Sequence, residues 1–454
     1  MTASLYGTSL SLLTDLYQLT MAQGYWKSGR HDHEAVFQLY FRKNPFAGGY
    51  ALAAGLADAA EFIERFAFDK GDLEYLKTLG LFEPGFLSYL KGLRLTLDVD
   101  AVPEGTALFA PEPLLRVQGP LLQCQLLETA LLNVMNFQTL VATKASRVTL
   151  AAGGDPVLEF GLRRAQGVDG GVSASRASFI GGCAATSNLL AGKLLGIPVR
   201  GTHAHSWVMA FGDELEAFSA YAKAMPGDCS FLVDTYDTLA GVQHAIQVGR
   251  WLKARGRRLA GVRLDSGDLA ELSLKARTML DEAGFPDTLI TASSDLDEHR
   301  IADLRAKGAP IAVWGVGTRL VTGHPQAALG GVYKLSAIRP PGGVWRRTRK
   351  ISSEAGKSSY PGALQVRRFF KEGRPSHDAI FDLLGPPPYG ESPYEDLLAP
   401  LFRGGKRVSP DPGLAAIRAR AKSQLRVLPP ELLRFDSPRA YPVSLELDLE
   451  EAAP

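Results

Sequence analysis

The 454-residue sequence is poor in cysteine, in net charge and in long apolar runs. Its three cysteines, Cys124, Cys183 and Cys229, lie far apart and form no Cys-x-x-Cys pair. That pattern excludes a disulfide framework or a zinc knuckle and leaves three small apolar residues for a core. Fifty basic against 48 acidic side chains leave a formal charge of only +2, so no global field draws the chain to nucleic acid. No run of about 18 apolar residues occurs, and no basic segment leads into an apolar core near the start. No membrane span is expected, and the expected compartment is the cytoplasm. No low-complexity tract interrupts the chain. What remains is an ordinary globular composition, 46% hydrophobic and 22% charged, at a length that calls for two or three domains.

The first third mixes both periodicities. Leu12 to Trp26 reads as a helix, with Thr14 as N-cap and Asp15 in the first turn. Glu34 to Phe41 reads as a strand stopped by Asn44-Pro45, and Leu56 to Phe66 as an amphipathic helix. Val99 to Val117 is Pro-rich and β-like, and Leu121 to Leu140 is an apolar core helix. From about residue 156 short apolar runs alternate with helical segments. The runs are 157–160, 197–199, 231–233, 259–262, 289–290 and 311–314, and Leu239 to Leu252 and Leu269 to Leu280 are two of the helices. The spacing is mostly that of a βα unit, about 30 residues. Serial βα units imply a parallel sheet, and six of them favour an irregular β/α barrel over an open doubly wound sheet. The alternation stops after Lys334. Beyond it come Pro340-Pro341-Gly342-Gly343, a basic stretch over 346–374 that suits a solvated face or a phosphate-facing surface loop, a basic helix from Leu414 to Leu425, and an edge strand within 438–447.

Each expected strand of the alternation ends in polar residues. In order they are Gly161-Leu162-Arg163-Arg164, Arg200-Gly201-Thr202-His203-Ala204-His205-Ser206, Asp234-Thr235-Tyr236-Asp237, Arg263-Leu264-Asp265-Ser266-Gly267-Asp268, Ser293-Ser294-Asp295 and Gly315-Val316-Gly317-Thr318. In a parallel barrel all six ends share one rim, the usual place for catalytic groups. Any single motif also reads as caps and turns, with Ser266 and Asp295 as cap residues. Taken together the six suit a sugar phosphate. Gly315 and Gly317 would let backbone N–H groups approach a phosphate, with Thr318 adding a hydroxyl. Arg163 and Arg164 would clamp another phosphate, and Asp265 and Asp268 would hold ribose hydroxyls or a magnesium ion. His203 and His205 admit three readings: a metal pair, for which further strand-end histidines are lacking; structural imidazoles; or a phosphate-accepting imidazole oriented by a carboxylate, for which Asp234 is the natural partner.

In this order the motifs resemble the nicotinate phosphoribosyltransferase family. The likeness runs from Leu13-Thr14-Asp15-Leu16-Tyr17-Gln18 through Phe160-Gly161-Leu162-Arg163-Arg164-Ala165-Gln166-Gly167 and Gly201-Thr202-x-Ala204-His205-Ser206. It continues through Gly261 to Asp268, the Gly-x-Gly-Thr at 315–318 and Val332-Tyr333-Lys334-Leu335 to Ser437-Pro438-x-x-Tyr441-Pro442. The resemblance implies an irregular parallel β/α barrel of the type II phosphoribosyltransferase kind with an N-terminal α/β domain. Its parts would be residues 1–135, a barrel over 136–335 carrying the active site, and C-terminal segments over 336–454 returning to the first domain. It implies joining of nicotinate to phosphoribosyl pyrophosphate, with ATP hydrolysis coupled through a phosphohistidine at His205. Magnesium would accompany the pyrophosphate, and the assembly would be a homodimer without nucleic acid or membrane partners. Tyr17, from a neighbouring chain, would join Phe160, Thr202 and Arg263 at the nicotinate. Arg163, Asp265, Ser294, Gly315, Gly317 and Thr318 would meet phosphoribosyl pyrophosphate, and Asp234 would orient His205. The cysteine-rich C-terminal module of some archaeal relatives is not expected.

Three other functions compete. The nicotinamide-using cousin carries Asp directly after the Gly-Thr pair, where this chain has His203, which favours the anionic base. A decarboxylating quinolinate enzyme would need more clustered cations at the ring end. A non-catalytic nucleotide sensor is disfavoured by the presence of His205, Asp234 and Arg263 together.

Overall fold

Strand and helix alternate between residues 157 and 321 as the spacing predicts. The computed structural model describes residues 7, 10–227, 229–351, 358–388, 390 and 392–447, and these divide into two compact units. One holds residues 144–327, and the other holds residues up to 143 together with those from 328 onward.

In the 144–327 unit six strands form one parallel sheet. Across it they run Ala185–Thr186, Val157–Glu159, Val313–Val316, Leu289–Ala292, Leu259–Leu264 and Cys229–Leu232. Helices return the chain between them, among them Val168–Ile180, Thr238–Lys253, Leu269–Glu282 and Glu298–Ala306. The strands are apolar because helices cover the sheet, so Phe231, Val262, Ile290 and Trp314 are all buried. The expected strand at Ile197–Val199 is reduced to a single bridge from Val199 to Thr186. Thr186 donates to the Pro198 carbonyl and Arg200 donates to the Thr186 carbonyl; Pro198 has no N–H with which to extend the ladder. Ala185–Thr186, which the apolar runs did not reveal, is the strand that takes this place. The sheet is therefore an irregular half-barrel. At its open side the Leu232 N–H is received by the His203 Nε2 at 3.2 Å instead of by a strand carbonyl.

In the other unit a seven-stranded antiparallel sheet runs Arg346–Arg347, Gly331–Arg339, Glu34–Phe41, Pro113–Pro120, Asp98–Ala101, Ala399–Arg403 and Lys406–Arg407. Glu34 lies opposite Arg339 and Phe41 opposite Gly331, so strands about 300 residues apart in sequence form the centre of the sheet. Phe37 stacks on Tyr333 at 4.9 Å within the main core. A second sheet holds Tyr394–Asp396, Leu364–Lys371, Arg374–Asp382 and Val443–Glu446, the last being the edge strand expected near the C-terminus. The unit boundaries lie at 143/144 and 327/328 rather than at 136 and 336, and the long helix Glu128–Ala151 contains the first of them.

Several local expectations change. The first helix is Leu16–Lys27 with Asp15, not Thr14, at its N-cap. Helices in the 144–327 unit are capped by Asp268 and Asp297 instead of Ser266 and Asp295, because the turns after those strands run two residues longer. The basic stretch 346–374 is not all surface. Arg367 pairs with Asp396 at 2.8 Å, and Arg368 is fully buried against Asp378 at 2.6 Å, while residues 352–357 lie outside the described residues. The three cysteines are free and buried, and no described helix is long and apolar enough to cross a membrane.

Candidate active site

Strand ends carry the site because a parallel sheet brings all its C-terminal ends to one rim. At the centre stands Arg263, on the strand Leu259–Leu264. Its guanidinium makes three directed bonds, from Nε to Ser293 Oγ at 2.9 Å, from Nη1 to Thr202 Oγ1 at 3.0 Å and from Nη2 to Asp265 Oδ1 at 3.1 Å. The guanidinium carbon is 5.4 Å from the centre of the Phe160 ring. Groups from three strand ends and from the Gly201–Ala204 segment thus fix one planar cation beside one aromatic face. Phe160, Thr202, Arg263 and Asp265, expected at one site from the family resemblance, are brought together. Ser293 stands in an expected motif with no role attached, and it bonds both Arg263 and Asp265.

Glycine makes room for that aromatic face. Gly315 lies inside the strand Val313–Val316, and a Cβ there would sit 2.9 Å from the Phe160 ring. Gly315 thus has a packing role beside the one expected for its backbone N–H, and the turn itself begins at Gly317. Gly317 is the N-cap of the short helix Thr318–Val321 and Thr318 is exposed. Ser294 and Asp295 are exposed, with φ of 91° and 44°, left-handed values costly for residues bearing a Cβ. Arg163 and Arg164 lie exposed on the 3-10 turn Leu162–Arg164. Glu159, a buried carboxylate, pins the start of that turn. It accepts from the Gly161 N–H, from Ser175 Oγ at 2.9 Å and from Thr186 Oγ1 at 2.5 Å. Nothing in its strand singled it out beyond being the one charge in an apolar run.

The imidazoles separate into two roles. His205 opens the helix His205–Met209 and is about two-fifths exposed. Its Nδ1 lies 3.1 Å from Thr235 Oγ1, and its Nε2 lies 3.8 Å from Asp265 Oδ2. Asp234 does not orient it, contrary to expectation; Thr235, one residue on, does. The Asp234 carboxylate instead turns to the next strand end, where its Oδ2 accepts from the Asp265 N–H at 3.0 Å and from Ser266 Oγ at 2.6 Å. Its Oδ1 is buried without a hydrogen-bond partner among the described residues. His203 is structural. Its Nε2 accepts from Leu232, its Nδ1 lies 3.3 Å from the Ala204 carbonyl, and its ring is enclosed by Phe218, Tyr221 and Phe231. Burial lowers its pKa, so the ring stays neutral with the proton on Nδ1. Both its nitrogens are thus engaged within the fold. Asp268 is spent on capping: its Oδ1 accepts from the Ala270 and Glu271 N–H groups, which hold its pKa down. Tyr17 belongs to the other unit, about half exposed on the first helix, with its pKa raised by burial and by Glu128.

Residues 12–136 match the nicotinate phosphoribosyltransferase (NAPRTase) N-terminal domain, and residues 389–452 match the nicotinate phosphoribosyltransferase C-terminal domain. The nicotinate phosphoribosyltransferase of Bacillus subtilis is 45% identical over 97% of this chain and 94% of its own length. The chain belongs to the nicotinate phosphoribosyltransferase family. A crystal structure of human nicotinic acid phosphoribosyltransferase superposes with a TM-score of 0.83 at 35% identity, covering 95% of this chain and 97% of that one. The nicotinate-nucleotide pyrophosphorylase of Pyrococcus furiosus has the same fold, with a TM-score of 0.72 at 22% identity over 92% of this chain and 95% of that one. The family's half-barrel is thus the frame that carries the Arg263 cluster.

Proposed function

We propose that the protein joins nicotinate to phosphoribosyl pyrophosphate, giving nicotinate mononucleotide and pyrophosphate, the first step of NAD salvage from nicotinate. The observation that carries this reading is the Arg263 guanidinium held by three acceptors beside the Phe160 ring. A flat aromatic carboxylate needs such a pairing: a face to stack on and a permanent cation with no proton to lose. The pyridine nitrogen attacks C1 of the ribose, the C1–oxygen bond to pyrophosphate breaks, and its electron pair leaves with the pyrophosphate. No general base is needed. Asp265 faces the ribose hydroxyls, while Arg163, Ser294, Gly317 and Thr318 meet the phosphates. Positioning and preorganised charge supply the rate. A magnesium ion accompanying the pyrophosphate would supply neutralisation of its charge. Asp265 and the unpartnered Asp234 Oδ1 fit an ion that keeps most of its waters.

ATP hydrolysis is coupled through His205. With Nδ1 engaged by Thr235, Nε2 is the free nucleophile. It attacks the γ-phosphorus, the bond to the bridging oxygen breaks, and ADP leaves. The protein works in the cytoplasm as a homodimer in which Tyr17 of one chain reaches the nicotinate of another. Leu13, Leu16, Tyr17 and Met21, all exposed at the first helix, supply an apolar stripe suited to a partner chain.

Pyrophosphate release from phosphoribosyl pyrophosphate with nicotinate, nicotinamide or quinolinate, each with and without ATP, tests the reading. Nicotinate is expected to be preferred over nicotinamide about a hundredfold in kcat/KM, or about 2.7 kcal/mol. Equal use of the two bases would overturn it. An acid-labile phosphoryl group should form on His205 with ATP and magnesium. His205→Ala should lose both that group and the ATP stimulation while keeping slow transfer; label persisting in this variant would move the acceptor elsewhere.

A further inference from the structure

Two turns of the proposed phosphate site come from different βα units, the turn at Ser293–Leu296 and the turn at Gly317–Thr318. Each is followed at once by a charged residue, and those two residues meet. Arg319 Nη1 donates to Asp297 Oδ2 at 2.5 Å. Asp297 is buried, and its Oδ1 caps the helix Glu298–Ala306 through the Arg300 N–H at 2.9 Å. The next residue, Glu298, is buried as well and is held by Lys144 Nζ and by Arg147 Nε at 2.8 Å. The helix start is thus an ionic anchor of two adjacent carboxylates and three cations. Upstream, Ser293 is tied to Arg263 and Asp265. Between the two ties lie Ser294 and Asp295, both in left-handed backbone. Such a turn persists only where both its ends are held.

The geometry points to the Arg319–Asp297 ion pair as a clamp that sets the spacing between the Ser294 turn and the Thr318 turn, making Arg319 and Asp297 positioning residues for phosphoribosyl pyrophosphate. The inference rests on the reading of these turns as the phosphoribosyl pyrophosphate site. Among the described residues the pair makes no hydrogen bond to the Arg263 guanidinium and no ring contact with Phe160, so its loss should be felt by one substrate more than by the other.

Steady-state kinetics of Arg319→Ala, Asp297→Asn, the double variant and Arg319→Lys test it, with Tm measured alongside. For either single variant the KM for phosphoribosyl pyrophosphate should rise about tenfold or more, with kcat and the nicotinate KM within about threefold of wild type. The double variant should be no worse than the poorer single variant, because both remove one interaction. Arg319→Lys should recover part of the loss. If Arg319 instead contacts phosphate directly, Asp297→Asn will leave the KM unchanged or lower it, and the clamp is overturned. Equal losses in all constants that track a fall in Tm would also overturn it, as a purely structural role. Should Arg319→Ala fail to fold, Arg319→Lys and Asp297→Asn carry the same comparison. A wild-type protein that releases no pyrophosphate with any base would instead sink the proposed function, an outcome distinct from an active enzyme with unmoved constants.

Discussion

His203 and His205 differ by two positions and by everything that decides chemistry. One is enclosed by aromatics with both nitrogens used, and the other opens a helix with one nitrogen free. Replacing His203 is therefore expected to act on the fold rather than on the choice of base. His203→Asp would bury a carboxylate among Phe218, Tyr221 and Phe231. It should cost on the order of 2 kcal/mol or more of stability, read as a lower urea midpoint. The nicotinate-to-nicotinamide ratio should stay where the wild type has it; a switch toward nicotinamide would restore His203 as a selector. The three bonds of Arg263 leave its guanidinium little freedom to move, which is why the proposed base preference is assigned to it.

The strands position the site by what they leave out as much as by what they carry. Gly315 is the clearest case, a strand residue whose missing Cβ is occupied by the Phe160 ring. Gly315→Ala should push the ring from beside Arg263. An overpacking cost of about 1–3 kcal/mol at this contact corresponds to a rise of about fivefold to about 150-fold in the nicotinate KM. The KM for phosphoribosyl pyrophosphate should move less, since Gly317 and Thr318 begin the turn two residues further on. Unchanged nicotinate KM in a folded Gly315→Ala protein would remove Phe160 from the base site.

At the scale of the molecule, the unit that lacks the Arg263 cluster holds a buried ionic centre that ties its four-stranded sheet to the two-stranded pairing of Ala51–Leu52 with Ala107–Leu108. Arg368 binds Asp378, the Ala107 carbonyl at 3.0 Å and Gln424 at 3.3 Å, and Tyr441 donates to Asp378 at 2.8 Å. Glu112, fully buried, accepts from the Phe109 N–H. Burial, then Asp378, push its carboxyl well above the ordinary range, while Arg368 opposes them. A carboxyl whose pKa rises on folding stabilises the fold fully below its unfolded value of 4.5 and loses that contribution as pH climbs through the folded value. Glu112→Gln keeps the shape without the charge, so its Tm relative to wild type should rise between about pH 5 and about pH 8. A difference flat across that range would mean that Glu112 ionises alike in both states. Assembly gives a second test. Inactive Tyr17→Ala chains mixed with inactive Arg263→Ala chains should recover part of the activity through one hybrid site per dimer. Heterodimers that form and stay inactive would place Tyr17 in its own chain's site.

Local pattern determined much of this protein. Apolar runs at βα spacing placed five of the six parallel strands, and the polar residues closing them marked Thr202, Arg263 and Asp265 as neighbours, because strand ends of a parallel sheet must share a rim, while Phe160 was indicated by the family resemblance alone. The short strand Ala185–Thr186 was hidden by its two-residue length and by Pro198 beside it. Only the tertiary structure decided which partner each polar group takes. Thr235 rather than Asp234 meets His205, Asp297 meets Arg319, and Arg368 of an apparently exposed basic stretch is sealed against Asp378. The reason is physical: periodicity is set within a turn or two of chain, whereas a hydrogen bond is set by which distant strand ends arrive within about 3 Å of one another.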